Sequence, residues 1–592
     1  MAAYTHPEYY GANAEVPRFV QYTSPVSNTQ REGGAQAATL PLNLIALIVS
    51  FIEDVGDIAR VCRTSRLLYY MALPQLYQKV ALHSYPDIRY VNGRPEGYGS
   101  GSPFVMALNG LVTKSHATVV QDFRLWGQWR EVGVEEFAKG RVPDNSMMLN
   151  ILLRAATDKM ARLQTFSWEL DCKPLKTLYQ GLATHMTLTS LTIKFPSSRV
   201  PRPSVIIPPI PNLRAFKATD IDPLCYPDDI SLLLLHSKKI EDLRLHFSPR
   251  MRQEAEPSLS LNTYFGRCLK AGYCIKAKHF ALQNFYGHQF DHMDNIFDTD
   301  AQETMAAFDT FGGINSPSRN VFIDNTWANI PQDMVTNFRS QRINELAPQH
   351  VDIITRQKRG LERFYLVSNR SSKPLGMAST VTSADATPTN ANGGAASTVT
   401  PITPFCDTPP SNPDIDMTQL GKDYIYALTR HHGDSLQHLL LSDQWALTPE
   451  DIGDIIRFCP NITQLGLAVN SPNHHYMRLL MPFLPKLRAL RLLKNDIVTA
   501  HLAESSEEER IEGMSAGLAI AEQANVRWIG IGDVVHKIGG KYQVEVEKED
   551  GTKVLEWRRE VEIVDPKEVQ HVEIWAMDCL DIGADPVLPF DP

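Results

Sequence analysis

One short pattern recurs along this chain: an apolar residue, two of any kind, an apolar residue, one of any kind, and an apolar residue. Copies read Leu163-Gln-Thr-Phe166-Ser-Trp168, Leu188-Thr-Ser-Leu191-Thr-Ile193, Leu213-Arg-Ala-Phe216-Lys-Ala218, Ile240-Glu-Asp-Leu243-Arg-Leu245 and Leu361-Glu-Arg-Phe364-Tyr-Leu366. Others are Leu436-Gln-His-Leu439-Leu-Leu441, Ile462-Thr-Gln-Leu465-Gly-Leu467, Leu487-Arg-Ala-Leu490-Arg-Leu492, Val526-Arg-Trp-Ile529-Gly-Ile531 and Val569-Gln-His-Val572-Glu-Ile574. The starts at 163, 188, 213 and 240 lie 25, 25 and 27 residues apart, and those at 436, 462 and 487 lie 26 and 25 apart. Weaker copies run over Ala277–Leu282 and Ser318–Ile323. Side chains alternate across a strand, so the fourth and sixth positions of each copy point inward together. The first position anchors the turn into the strand, and the fifth and seventh face the other side. A unit of this size cannot bury its apolar face alone and does so by stacking on its neighbours. The length of 592 residues therefore measures repeat number rather than a count of separate domains.

The pattern and its period are similar to the leucine-rich repeat. Three copies carry Asn at the ninth position, Asn369, Asn470 and Asn495, where an amide can bond turn backbone between coils; Ile497 adds the eleventh-position apolar residue. Candidate helices precede many strands, at Thr177–Met186, Ile230–His236, Ile452–Phe458 and Tyr476–Leu484. The resemblance implies an α/β solenoid, made irregular by gaps of 39 and 43 residues before the copies at 526 and 569. One gap is legible: Lys541–Val546 and Val554–Val564 alternate polar and apolar around Lys548-Glu-Asp-Gly551, which predicts a β-hairpin near 539–564 between the last two repeats.

Residues 1–37 are rich in small and polar types and read as a disordered arm. Residues 371–417, with Pro401, Pro404, Pro409, Pro410 and Pro413, read as a disordered Pro/Ser/Thr-rich insertion that divides the repeats into 83–370 and 418–592. The balance of 58 basic against 67 acidic residues, net −9, argues against nucleic acid as the main partner. Eight scattered cysteines, none in a C-x-x-C pair, fit reduced thiols in a cytoplasmic or nuclear protein. No basic segment followed by an apolar core opens the chain, and the apolar stretch Leu40–Ile52 is shorter than the ~20 residues a membrane span needs. A soluble intracellular protein without a membrane partner is expected.

Residues 38–82 form a helical module of their own. Thr39 is placed to cap a first helix with Pro41 in its first turn. Leu44, Ile48, Phe51 and Ile52 share one face of that helix. Asp57 is placed to cap a second helix bearing Ile58, Val61, Cys62 and Ser65, and a third run passes Leu68 and Met71 to Pro74, Leu76 and Tyr77. The module resembles the F-box through Leu40, Pro41, Leu44, Ile48, Phe51, Ile52, Asp57, Ile58, Val61, Cys62, Arg63, Leu67, Leu76 and Tyr77. Family members often carry Glu two residues after the proline, where this chain has Asn43, which removes one acidic contact. An F-box followed by leucine-rich repeats resembles the fungal substrate receptors of SCF-type ubiquitin ligases. That resemblance implies a Skp-type adaptor, and through it a cullin scaffold, docked on Leu40, Pro41, Leu44, Ile48, Phe51, Ile52, Ile58, Val61, Cys62 and Leu67. It implies a protein target held by the repeats, no cofactor and no catalytic residue in this chain. The fifth and seventh repeat positions supply the candidate target-binding residues Arg244, His246, Tyr365, Arg491, Glu573 and Trp575.

Two rival readings accompany this one. The first is a leucine-rich-repeat scaffold in which residues 38–82 only cap the solenoid. The second is a metal-dependent hydrolase built on His288-Gln-Phe-Asp291-His292, where two histidines four apart share a helical face. That motif has Asp where the inverted zincin motif has Glu, no third ligand follows, and its aromatic flanks suit packing. No P-loop, dinucleotide fingerprint or nucleophile elbow is present.

Overall fold

A computed structural model describes residues 41–85, 89–91, 93–97, 104–129, 144–195, 206–222, 230–248, 262–283, 293–308, 336–343, 348–367, 417–443, 445–470, 483–520, 525–547 and 553–577. The arm at 1–37, Leu40, Thr39, the insertion at 371–416, the copy at 318–323 and the His288–His292 motif lie outside these. The chain divides into two compact units, Met1–Ser190 and Leu191–Pro592.

The first unit opens with helices α1 (Leu42–Ser50), α2 (Val55–Cys62) and α3 (Arg66–Gln78). Pro41 is itself the N-cap of α1, its carbonyl accepting from the N–H groups of Leu44 and Ile45 at 2.9 and 3.1 Å, rather than a first-turn residue. Asp54, not Asp57, caps α2: its carboxylate accepts from the Asp57 N–H at 2.8 Å, and Asp57 pairs with Arg60 instead. Ser65 caps α3 through the Leu68 N–H at 3.1 Å. Val49, Ile58 and Ala72 make a small core against Ile52, Val61, Cys62, Leu68 and Leu76.

The last residue of α3 is followed directly by β1 (Lys79–Ser84). A short hairpin, β2 (Arg89–Val91) and β3 (Arg94–Gly97), and helix α4 (Phe104–Thr113) precede β4 (Asp122–Gly127). Helix α5 (Asp144–Lys159) leads into β5 (Thr165–Leu170), and α6 (Lys176–Thr184) follows. β1, β4 and β5 pair in parallel, with Phe123 opposite Phe166 and Leu125 opposite Trp168. Val120-Gln-Asp-Phe123-Arg-Leu125 is thus a further copy of the pattern, hidden in the sequence because the next copy starts 43 residues on.

The division between the units falls at the first residue of β6 (Ser190–Lys194). In the second unit β7 (Ala215–Ile221), α7 (Ser231–His236), β8 (Asp242–Phe247), α8 (Asn262–Lys270), β9 (His279–Gln283), α9 (Met293–Ile296), β10 (Thr304–Phe308) and β11 (Ser340–Ile343) follow. Then come α10 (Pro348–Arg356), β12 (Arg363–Leu366), α11 (Met417–His432), β13 (His438–Leu440), the two-residue β14 (Ala446–Leu447), α12 (Pro449–Phe458), β15 (Gln464–Val469) and β16 (Ala489–Leu492). Helices α13 (Asp496–Glu504) and α14 (Glu507–Ile520) precede β17 (Trp528–Ile531). Strands β7 to β13 and β15 to β17 pair in parallel and in chain order. The result is a mixed α/β fold with a long, mainly parallel sheet of solenoid-like construction. Among the described residues no helix is long and apolar enough to cross a membrane.

The repeat positions do what alternation requires. First-position N–H groups close the turn out of the preceding segment, Leu213 on Ile210, Ile240 on Ser237 and Leu487 on Leu484, at 3.0 to 3.2 Å. Fourth-position residues form one buried ladder, in which Phe216, Leu243, Phe280, Met305, Gln341, Phe364, Leu439, Leu465, Leu490 and Ile529 lie side by side. Of the ninth-position asparagines, Asn495 joins coils as expected: its Nδ2 donates to Val469 O at 3.1 Å while its Oδ1 caps α13 through the Val498 N–H at 2.7 Å. Asn470 is exposed, and Asn369 lies outside the described residues.

Strands β10 and β11 escape the sequence pattern because glutamine stands at Gln302 and Gln341, where the other copies are apolar. Gln341 is fully buried, and among the described residues neither amide atom has a hydrogen-bond partner. Gln341→Met keeps the shape and removes the two orphaned polar atoms, so unfolding by urea is expected to show a gain of about 1–3 kcal/mol. A loss of stability would contradict this account.

The chain ends differently from the sequence expectation. β18 (Val534–Glu547) and β19 (Lys553–Val564) form the expected antiparallel hairpin, but β18 also pairs antiparallel with β17. The edge that a final parallel strand would need is therefore taken. Val569–Ile574 is no repeat strand: Pro566–Val569 is a 3-10 turn and Glu573–Ala576 the short helix α15.

Candidate target-binding face

Fifth-position residues of the second unit lie on the sheet face opposite the helix-packed core. The register places Arg244, Ala281, Ala306, Arg342, Tyr365, Leu440, Gly466, Arg491 and Gly530 in one row. Exposure was the expectation for such a face, and the structure corrects it. Arg244, Tyr365, Arg491 and Trp575 are all buried, while His246 and Glu573 are half-buried.

Each has its own reason. Arg244 folds back on Asp242 of its own strand, donating to that carboxylate at 2.9 Å from both Nε and Nη2. His246 stands two residues on, level with Gln283 of β9. Tyr365 and Arg491 are covered by the segment after β19. Glu573 and Trp575, expected on a repeat strand, belong to that covering segment. The expectation therefore joined four residues of the sheet, Arg244, His246, Tyr365 and Arg491, with two of the segment that lies on it, because Val569–Ile574 matches the repeat spacing by composition while β18 holds the edge it would have used.

Tyr365 Oη and His438 Nδ1 lie 2.7 Å apart in the buried layer under Glu573. Desolvation pushes the His438 pKa down to about 4, against the pull of the Glu573 carboxylate, and burial pushes Tyr365 upward. Desolvation also lowers His279, His432 and His536. For each, the unfolded chain binds a proton more readily than the native protein. The stability they contribute is complete above the ordinary histidine pKa of 6.5 and is lost as pH falls below it, for His438 down toward 4. His438 accounts for up to ~1.4 kcal/mol per pH unit within that window. Urea titrations between pH 7 and 4.5 should show falling stability, with a shallower slope in His438→Gln; an unchanged slope would place His438 outside the coupling.

In the first unit the outward row holds a group the sequence reading missed. Arg124 makes a two-pronged ion pair with Glu169 at 3.0 and 2.7 Å and lies over the exposed Trp126 ring, which stacks on His83. The pattern copy that would have flagged it lies beyond the 25-residue period.

Of the expected adaptor-contact residues, Leu44, Ile48, Phe51 and Leu67 are exposed, Ile48 at 55% and Phe51 at 75%, and Pro41 is exposed beside them. Ile52, Val61 and Cys62 are half-buried in the three-helix core and Ile58 is fully inside it, so these shape the module rather than face a partner. Leu42, Leu47 and Val55 extend the exposed apolar surface beyond the residues expected. Among the described residues no group of three His, Cys, Asp or Glu side chains is placed to hold a metal ion.

No family model matches the chain, and no curated protein matches it. Among solved structures it is similar to a chain from the crystal structure of the Rad7 and Elc1 complex in yeast. The sequence identity is 15% and the TM-score 0.28, covering 61% of this chain and 88% of that one.

Proposed function

We propose that this chain is a non-catalytic substrate receptor of an SCF-type ubiquitin ligase. Helices α1 to α3, read as an F-box, dock a Skp-type adaptor and through it a cullin scaffold, and the leucine-rich repeats hold a protein target. The observation that carries the reading is the apolar surface of α1, where Leu44, Leu47, Ile48 and Phe51 stand exposed on a bundle whose own core is small. A contiguous patch of this kind marks an interaction site, and an amphipathic helix laid against a partner is a standard way to cover it. The chemistry of transfer then belongs to other subunits. This chain contributes proximity and orientation, for which the absence of any linker between α3 and β1 is well suited. The proposal places the protein in the cytoplasm, the nucleus or both, and requires no cofactor.

The direct continuation of α3 into β1 equally suits a scaffold whose helices merely cap the sheet. Co-expression with a Skp-type adaptor separates the two. The receptor reading expects a stoichiometric complex that is lost on removing residues 39–80, and recovery of free chain alone would leave the scaffold.

A further inference from the structure

The segment after β19 does not extend the repeats; it lies across them. Its seat is a trough over β12 to β17, floored by Leu440, Gly466 and Gly530 of the fifth-position row and walled by Tyr365, Ala489 and Leu493. Gly530 makes the seat possible, since a Cβ there would stand 2.8 Å from Cζ2 of the Trp575 ring. Val572, Ile574, Trp575 and Met577 are buried in this way.

Directed polar contacts accompany this apolar packing. Gln464 on β15 reads the segment twice: its Oε1 accepts from the Ile574 N–H at 3.2 Å and its Nε2 donates to the Glu573 carboxylate. Arg491 on β16 donates from Nη1 to the Ile574 carbonyl at 2.8 Å, and its guanidinium lies 5.6 Å from the centre of the Trp575 ring. Both main-chain groups of Ile574, the carboxylate before it and the aromatic ring after it are thus read by side chains from two successive repeats. The segment itself has only a four-residue 3-10 turn and a four-residue helix, too short to be stable without the trough.

We propose that residues 566–577 are an intramolecular stand-in for the target. The trough takes a short helical segment carrying an acidic residue, an aliphatic residue and tryptophan in succession, and the chain's own segment holds that place until such a segment displaces it. This rests on the receptor reading for its purpose, and it deepens that reading by naming the chemistry of the target. A tethered ligand competes at an effective concentration in the millimolar range, so a free peptide meets a largely closed site in the wild type.

The test uses the full chain and a fluorescent peptide of residues 566–577. Trp575→Ala, which removes the anchor of the tethered segment, is expected to bind the peptide at least ~30-fold more tightly than wild type does. Adding Arg491→Ala to that variant should remove most of the gain, and a peptide with tryptophan replaced by alanine should not bind. In the unaltered protein, amides of Val572–Met577 should exchange with solvent at least ~100-fold faster than those of Leu465–Leu467, through an opening that leaves the sheet closed. Exchange of both sets at one rate, or no peptide binding by Trp575→Ala, overturns the proposal. If that variant does not fold, the exchange measurement on the wild type decides alone. Neither measurement contains an adaptor: loss of peptide binding beside an intact adaptor complex removes the trough, and the converse removes the adaptor reading only.

Discussion

Ile48→Glu combined with Phe51→Glu abolishes capture of a Skp-type adaptor and leaves the chain folded: this is the outcome the α1 surface leads us to expect. Both side chains project into solvent from a helix whose packed side is represented by Val49. Exposed substitutions of this kind change stability by only about 0.5 kcal/mol. Apolar anchors at the centre of an interface each contribute about 2 kcal/mol or more, so losing two and placing two charges in their stead weakens binding about a thousandfold or beyond. Co-purification and thermal unfolding read the two halves separately. Val49→Glu is the control with the opposite signature, since it buries a charge in the small core and unfolds the helices. Retained capture by the double variant would assign the exposed surface of α1 to some other role.

Trp168→Ala is expected to cost about 3–5 kcal/mol, the largest single effect on the fold of the first unit. Its ring is fully buried on β5, at the sixth position of the copy that starts at Leu163, beside Leu125 of β4. Its Nε1 donates to the Cys172 carbonyl at 2.7 Å, a hydrogen bond the truncation removes. Trp168→Phe separates the contributions: it keeps most of the packing, loses the hydrogen bond, and should cost only about 1–2 kcal/mol. Urea unfolding followed by circular dichroism checks both, and near-equal losses would show that the hydrogen bond, not the volume, dominates.

The legible part of the fold was the part governed by local periodicity. Leu243 and Leu245, or Leu465 and Leu467, announce a strand and its buried side because alternation with period 2 is a property of the backbone. The hairpin near 539–564 was equally visible as two alternating runs about a turn signal, but the earlier part of β18, Val534–Lys537, which pairs with β17, was not. Strands β10 and β11 were not, since Gln302 and Gln341 carry no apolar signal, and only pairing with neighbours makes them strands. On α1 the exposed Leu44 and Ile48 were legible, while the equally exposed Leu42 and Leu47 were missed although Leu47 stands three residues after Leu44 on the same face.

Arg491 and Trp575 show where reading in one dimension stops. Composition and spacing assign both to outward positions of repeats, and for Arg491 that assignment holds. Whether an outward position meets water depends on what else the chain lays over it, and that is decided by which strand takes the free edge of β17. Because β18 pairs there antiparallel, the last apolar run has no edge to join and buries itself against the face it was expected to extend. The periodicity of residues along the backbone determined the strands and their inner side; the competition for a single sheet edge, a contact between segments far apart in the chain, determined which outer positions are covered.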